Sequence, residues 1–220
     1  MSNLWIFSFL HPLSYILLIY GCTQMEEGQN PPSYVWQEIS GRDEGNPNQR
    51  IPIYRAKVPC KWIRQDPLAE DSIADTMKPL CEYLLGTDHS DLRITIHSFP
   101  SHSMHDRIAP AAQIARWKQQ FDHLDLTDVH VTPFASGGFT GLNFEAVGNI
   151  HGNQKAVVGW SMQMAAEQYQ NLQGITFKDH HRRADYTIKS QGSPETMARH
   201  RDEIFFFANS FELIEEIPTR

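Results

Sequence analysis

FTGLNFEAVGNIHGNQKAVVGWSMQM, residues 139–164, carries the pattern of a β-hairpin. In its first arm, residues 139–147, Leu142, Phe144 and Ala146 share one face. In its second arm, residues 156–164, Val158, Trp160, Met162 and Met164 alternate with their neighbours. A period of two is that of a pleated strand, and the polar segment between the arms, residues 149–154 with Gly152-Asn153, has turn composition. This is the best-defined strand pair in the chain.

Outward from it the same arithmetic finds more strands. Residues 79–85 and 91–99 flank the turn-rich Gly86-Thr87-Asp88-His89-Ser90, and Leu92, Ile94 and Ile96 alternate with Arg93, Thr95 and His97, as in a half-buried antiparallel strand. Residues 33–39 and 51–58 have the β-branched and aromatic content of strands, with Pro59 ending the second and a polar loop, residues 40–50, between them. Tyr186 and Ile188 mark a further strand. Residues 108–121 carry Pro110 near their start and apolar side chains at Ala111, Ile114, Ala115, Trp117 and Phe121, which is helical spacing. A second helix starts at Ser193-Pro194-Glu195, with Ser193 as N-cap and Pro194 at the first helical position. It runs to about Asn209 with Met197, Ile204, Phe205 and Ala208 on its apolar side, and residues 211–217 close the chain as a short strand or tail. Hairpins outnumber crossovers, so the expected class is α+β: an antiparallel sheet of about six or seven strands covered by helices.

The first charged side chain other than histidine is Glu26, and an apolar stretch from Leu4 to Tyr20 runs into Leu18-Ile19-Tyr20-Gly21-Cys22. A small residue before a cysteine, behind such a stretch, resembles the lipobox of a bacterial lipoprotein signal peptide. The resemblance implies cleavage before Cys22, a diacylglyceryl thioether and further acylation with fatty acids such as palmitate. At roughly 0.8 kcal/mol per buried CH₂, two or three chains anchor a domain stably. The expected organisation is residues 1–21 signal peptide, residues 22–33 flexible tether, and residues 34–217 a single α+β domain in the cell envelope, facing the periplasm or exterior. The alternative for residues 3–21 is an uncleaved anchor helix, for which they are just long enough.

The ending Ala184-Asp185-Tyr186-Thr187-Ile188, followed by Ser193-Pro194-Glu195 and a helix into Ala208-Asn209-Ser210-Phe211-Glu212-Leu213, resembles the Mog1/PsbP-like fold family. The hairpin 139–164 and Val58-Pro59-Cys60-Lys61-Trp62 stand in the order that family has. The resemblance implies a domain that acts by binding rather than catalysis, and it supplies no catalytic residue. Around Arg107-Ile108-Ala109-Pro110-Ala111-Ala112-Gln113-Ile114-Ala115-Arg116-Trp117-Lys118 the chain is also similar to uncharacterised lipoproteins of chlamydia-like bacteria.

Composition removes some classes. A net charge of −7 with no cluster of Lys and Arg disfavours a nucleic-acid surface. Beyond Cys22 only Cys60 and Cys81 remain. In an oxidising compartment such a pair is a candidate disulfide, and otherwise it is two buried thiols.

His97, His102 and His105 concentrate imidazoles around a loop after a strand, a candidate zinc or copper site, although no His-Glu-x-x-His pattern accompanies them and eleven histidines make chance clusters common. Asp179-His180-His181-Arg182-Arg183 can bind an anion or can be a charged turn. The glycine-rich Ser136-Gly137-Gly138-Phe139-Thr140-Gly141 lacks the Lys-Ser/Thr of a P-loop, no Gly-x-Ser-x-Gly elbow occurs, and the segment is expected to enter a hairpin. Trp62, Trp117 and Trp160 can line a ligand cleft, but aromatics so widely spaced are usually core, and that is where they are expected.

The expectation is therefore a lipid-anchored envelope protein with a non-catalytic binding or structural role and no cofactor. Its partners would be the membrane, through Cys22, and an envelope protein or small ligand. The alternatives are a metal-dependent hydrolase using His97, His102 and His105, and a small-ligand carrier, which would show a ligand-dependent rise in melting temperature.

Overall fold

The 139–164 hairpin is the longest strand pair of the fold. The computed structural model describes residues 33–42, 50–66, 78–86, 91–99, 101, 103–172 and 185–214. In chain order the described residues form β1 (Tyr34–Arg42), β2 (Arg50–Pro59), β3 (Ile63–Gln65), β4 (Cys81–Leu85), β5 (Leu92–Ser98), α1 (Pro110–Lys118), β6 (Val129–Ser136), β7 (Phe139–Ile150), β8 (Asn153–Met164), α2 (Ala166–Leu172), β9 (Asp185–Gly192), α3 (Pro194–Asn209) and β10 (Glu212–Leu213). The class is α+β. A seven-stranded sheet runs β3-β4-β5-β9-β8-β7-β6, a second sheet runs β1-β2-β10, and among the described residues the strands pair antiparallel throughout.

The hairpin arms are longer than their apolar pattern suggests. β7 and β8 stay in register from Phe139↔Met164 to Ile150↔Asn153, so the turn is His151-Gly152 rather than Gly152-Asn153. Both turn residues have positive φ, 52° and 75°, which matches the right-handed twist of the arms in a two-residue loop. Gly137 and Gly138, at φ 58° and 83°, make the corresponding turn between β6 and β7, the hairpin entry expected from their sequence. The 40–50 loop is shorter than anticipated. Ser40, Gly41 and Arg42 continue β1 past an irregularity at Ile39/Ser40 and pair with Pro52, Ile51 and Arg50.

Both faces of the large sheet are used. Strand β8 is buried along nearly its whole length because Ala156, Val158, Trp160, Met162 and Met164 enter a large core, while Val157 enters a second one on the opposite face. The large core also collects Ile39, Tyr54, Tyr83, Ile94, Ile188, Ile204 and Phe207, from β1, β2, β4, β5, β9 and α3, and Phe211 from the link between α3 and β10. Helix α3 begins as expected: Ser193 Oγ accepts from Thr196 N–H at 3.1 Å, with Pro194 in the first turn. It buries Met197, Ile204, Phe207 and Ala208, whereas Phe205 sits at the margin with its ring edge-on to Trp160.

The second core is small: Ile114, Trp117, Phe121, Phe144, Ala146, Ile150 and Val157. Helix α1 stops at Lys118, before Phe121, and Ala111 and Ala115 face solvent, so it covers the sheet with Ile114 and Trp117 alone. Trp117 fits because residue 159 of β8 is glycine; a Cβ there would lie 2.5 Å from Trp117 Cζ3. Among the described residues this one short helix covers only part of that face of the sheet, and the cleft described below lies beside it.

Among the described residues no helix is long and apolar enough to cross a membrane. The signal-like residues 1–21, Cys22, the tether to Pro32, His102 and residues 179–183 lie outside the described residues.

Candidate functional site: a cationic cleft on the sheet

The outward side chains of β5 and β9 form the floor of a cleft of about 650 Å³. The antiparallel register sets them in rows: Arg93 opposite Gln191, Thr95 opposite Lys189, and His97 opposite Thr187. Their neighbours in sequence, Leu92, Ile94, Ile96, Tyr186 and Ile188, point into the large core, so the period of two fixes which side chains line the floor. Helix α1, with Gln113, Arg116 and Trp117, and Gln120 in the turn after it form the wall, and Lys155 of β8 and Glu82 of β4 stand at the margins.

The charges are uneven. Four lining side chains are cationic, Arg93, Arg116, Lys155 and Lys189, and two are acidic, Glu82 and Asp91, in a chain whose net charge is −7. Glu82 is committed to Arg93: its Oε2 accepts from Arg93 Nε at 2.7 Å and its Oε1 accepts from Nη2. Among the described residues Arg116, Lys155 and Lys189 form no ion pair.

Lys189 is at the centre of the floor. Its Nζ donates to Gln191 Oε1 at 2.9 Å and to Gln120 Oε1, two neutral amides. Burial, and secondarily the Arg93 guanidinium, push the Lys189 ammonium down to about 8. A chain that places a half-buried lysine among other cations without a carboxylate partner bears an electrostatic cost that an incoming anion would remove.

The residues singled out from sequence are distributed differently. His97 is on the floor, its ring 6.4 Å from that of Phe99 and nearly parallel to it. His105 is exposed on the 3-10 turn Met104–Asp106, and His102 lies outside the described residues. Among the described residues no group of three or more His, Cys, Asp or Glu side chains is arranged to hold a metal ion. Cys60 and Cys81 are free thiols: Cys60 is exposed in the turn after β2 and Cys81 is buried in β4, so the anticipated disulfide is not formed. Alternate residues of an inward-facing strand go to the core, and Cys81 follows that pattern with Tyr83 and Leu85. Ser136 Oγ donates to the Asn209 carbonyl at 3.2 Å, a turn contact. Trp62, Trp117 and Trp160 are all buried, and Trp117 additionally backs the cleft.

Arg93, Arg116, Lys155 and Lys189 were not singled out from sequence. Arg93 is visible in the alternation of 91–99, and Thr187, Lys189 and Gln191 form the polar half of a similar alternation in β9. Only the pairing of β5 with β9 makes them one surface.

No family model matches this chain, and no curated protein matches it. Solved structures do. The solution structure of cyanobacterial PsbP (CyanoP) from Synechocystis aligns with a TM-score of 0.45 and 11% identity, over 84% of this chain and 95% of that one. The crystal structure of LpqN involved in cell envelope biogenesis of Mycobacterium tuberculosis aligns with a TM-score of 0.47 and 13% identity, over 81% of this chain and 91% of that one. A PsbP-type structure is thus among those to which this chain is similar.

Proposed function

We propose that this chain is a lipid-anchored protein of a bacterial cell envelope, held by Cys22, whose domain binds a small ligand rather than transforming it. The observation that carries the binding role is the cleft between α1 and the β5–β9 floor, a concavity of a size that encloses a small molecule and is lined by converging polar groups. The anchor rests on Leu18–Cys22, and residues 22–33 would be its tether. The likeness of residues 107–118 extends the reading to a source among chlamydia-like bacteria.

Two measurements test it. Labelled fatty acid supplied to a bacterial host should enter the wild-type chain and not Cys22→Ala, with an intact mass lacking residues 1–21; an unlabelled, uncut chain removes the anchor. A thermal-shift screen of chemically diverse small molecules should yield compounds that raise the melting temperature in proportion to their concentration. A screen without such compounds, neutral or charged, removes the binding role.

A further inference from the structure

Resting on that reading of the cleft as a ligand site, we infer that its ligand is a phosphomonoester, with the phosphate seated over Lys189 between the β5–β9 floor and helix α1. Charge is the first argument. With Glu82 engaged by Arg93, the cleft presents, among the described residues, Arg116, Lys155 and Lys189 against Asp91. This surplus of about two positive charges is the complement of a phosphomonoester, which carries roughly −1.5 to −2 at neutral pH and three strong acceptor oxygens. A carboxylate would neutralise only part of it.

Donors are the second argument. Thr95 and Thr187 flank Lys189 on the floor, so hydroxyl and ammonium donors stand side by side, and Gln113 and Gln120 add amides from the wall. Thr95 Oγ1 presently bonds the Lys189 carbonyl at 3.3 Å, a long contact that a rotation of the hydroxyl can exchange for a ligand oxygen. The third argument is contrast: within a chain of charge −7, cations gathered in a concavity with low-dielectric walls concentrate anions there. The remaining volume accommodates an organic group beyond the phosphate.

The test is isothermal titration of the full-length chain in detergent at fixed ionic strength, with glycerol 3-phosphate and with dihexanoyl phosphatidic acid below its micellar concentration. Wild type should bind at least one of them stoichiometrically, and Lys189→Met and Arg116→Glu should each weaken binding tenfold or more. Arg116 is exposed, so its variant does not depend on repacking. Arg199→Glu, an equal charge change at an exposed residue of α3, should bind as wild type does. Equal affinity for the two probes assigns a soluble phosphomonoester, and tighter binding of the acylated one assigns a lipid headgroup; both support the inference. It is overturned by absence of binding at millimolar probe, or by equal losses in Arg199→Glu and Arg116→Glu. If the screen yields a neutral ligand whose binding Lys189→Met leaves intact, the phosphate assignment falls while the ligand-binding reading stands.

Discussion

Arg107 and Asp185, 78 residues apart in sequence, form an ion pair whose side chains are each 4% exposed. Arg107 Nε donates to both carboxylate oxygens, at 3.0 and 3.2 Å, and Nη2 donates to Oδ1 at 2.6 Å and to the Met164 carbonyl at 2.7 Å. The guanidinium lies 4.7 Å from the centre of the Tyr169 ring, and Gln163 Nε2 donates both to the Ile108 carbonyl and to Asp185. Burial holds the Asp185 carboxyl above the usual carboxylate range, an effect that the Arg107 bonds oppose. Asp185 opens β9, the cleft floor, and Arg107 leads into α1, the cleft wall. One buried pair therefore ties the two surfaces of the cleft together.

Removing one partner leaves the other buried and uncompensated. Arg107→Met is expected to cost about 3–5 kcal/mol in urea denaturation, and Asp185→Leu a comparable amount. Because an apolar pair no longer strands a charge, the double variant should cost clearly less than the sum of the singles. Additive losses would show that each side chain acts alone and that the pair does not couple floor to wall.

Lys189→Met is expected to stabilise the ligand-free chain at neutral pH, by on the order of 1 kcal/mol, because the cation it removes is half-buried beside Arg93 with only amide partners. The sign follows from linkage. A lysine whose folded value is lowered penalises folding fully at pH values below about 8, and the penalty fades as pH rises toward the unfolded value of 10.5. The advantage of Lys189→Met should shrink over that interval. Arg93 and His97 on β5, Asp91 before it, Arg116 on α1, Lys155 on β8 and Glu82 on β4 also face the cleft, so the profile is to be read as a difference between variant and wild type. A pH-independent difference would mean that Lys189 acts through packing alone.

What the sequence made legible follows from range. The β7–β8 hairpin, the β4–β5 hairpin and the capped start of α3 are local: alternation, turn composition and a Ser-Pro pair suffice. β6 escaped because its burial is low throughout and Pro133 interrupts it, which an edge strand tolerates and a pattern search does not. β3 has only three residues and α2 seven, too few for a period to show. The cleft escaped for a different reason. Arg93, Thr95, Thr187 and Lys189 become neighbours only through the β5–β9 pairing, with Thr95 and Lys189 separated by 94 residues, and no local signal encodes that register. Of the two described histidines among His97, His102 and His105, His97 lines the cleft and His105 does not.

The two described cysteines should differ sharply in reactivity. Burial pushes the Cys81 thiol up to about 12 and removes it from solvent, whereas Cys60 is exposed. Alkylation of the native chain, mapped by peptide mass, should modify Cys60 within minutes and leave Cys81 intact until denaturant is added. Failure of both to react even when denatured without reductant would mean that the sulfurs are bonded to each other.

Trp117 anchors the cleft wall on Gly159, so the wall can be moved without touching a charge. A Cβ at residue 159 would lie 2.5 Å from Trp117 Cζ3 and 2.8 Å from Cη2, and Trp117 is 3% exposed, with little room to retreat. Gly159→Ala should therefore push α1 off the sheet at a cost of about 1–3 kcal/mol, the usual range for overpacking. Trp117→Leu in the same chain removes the contacting ring atoms, so the double variant should recover much of what Gly159→Ala loses relative to Trp117→Leu alone. Tryptophan emission reports the displacement directly. An unchanged spectrum and stability in Gly159→Ala would show that α1 is not seated on β8 through this contact.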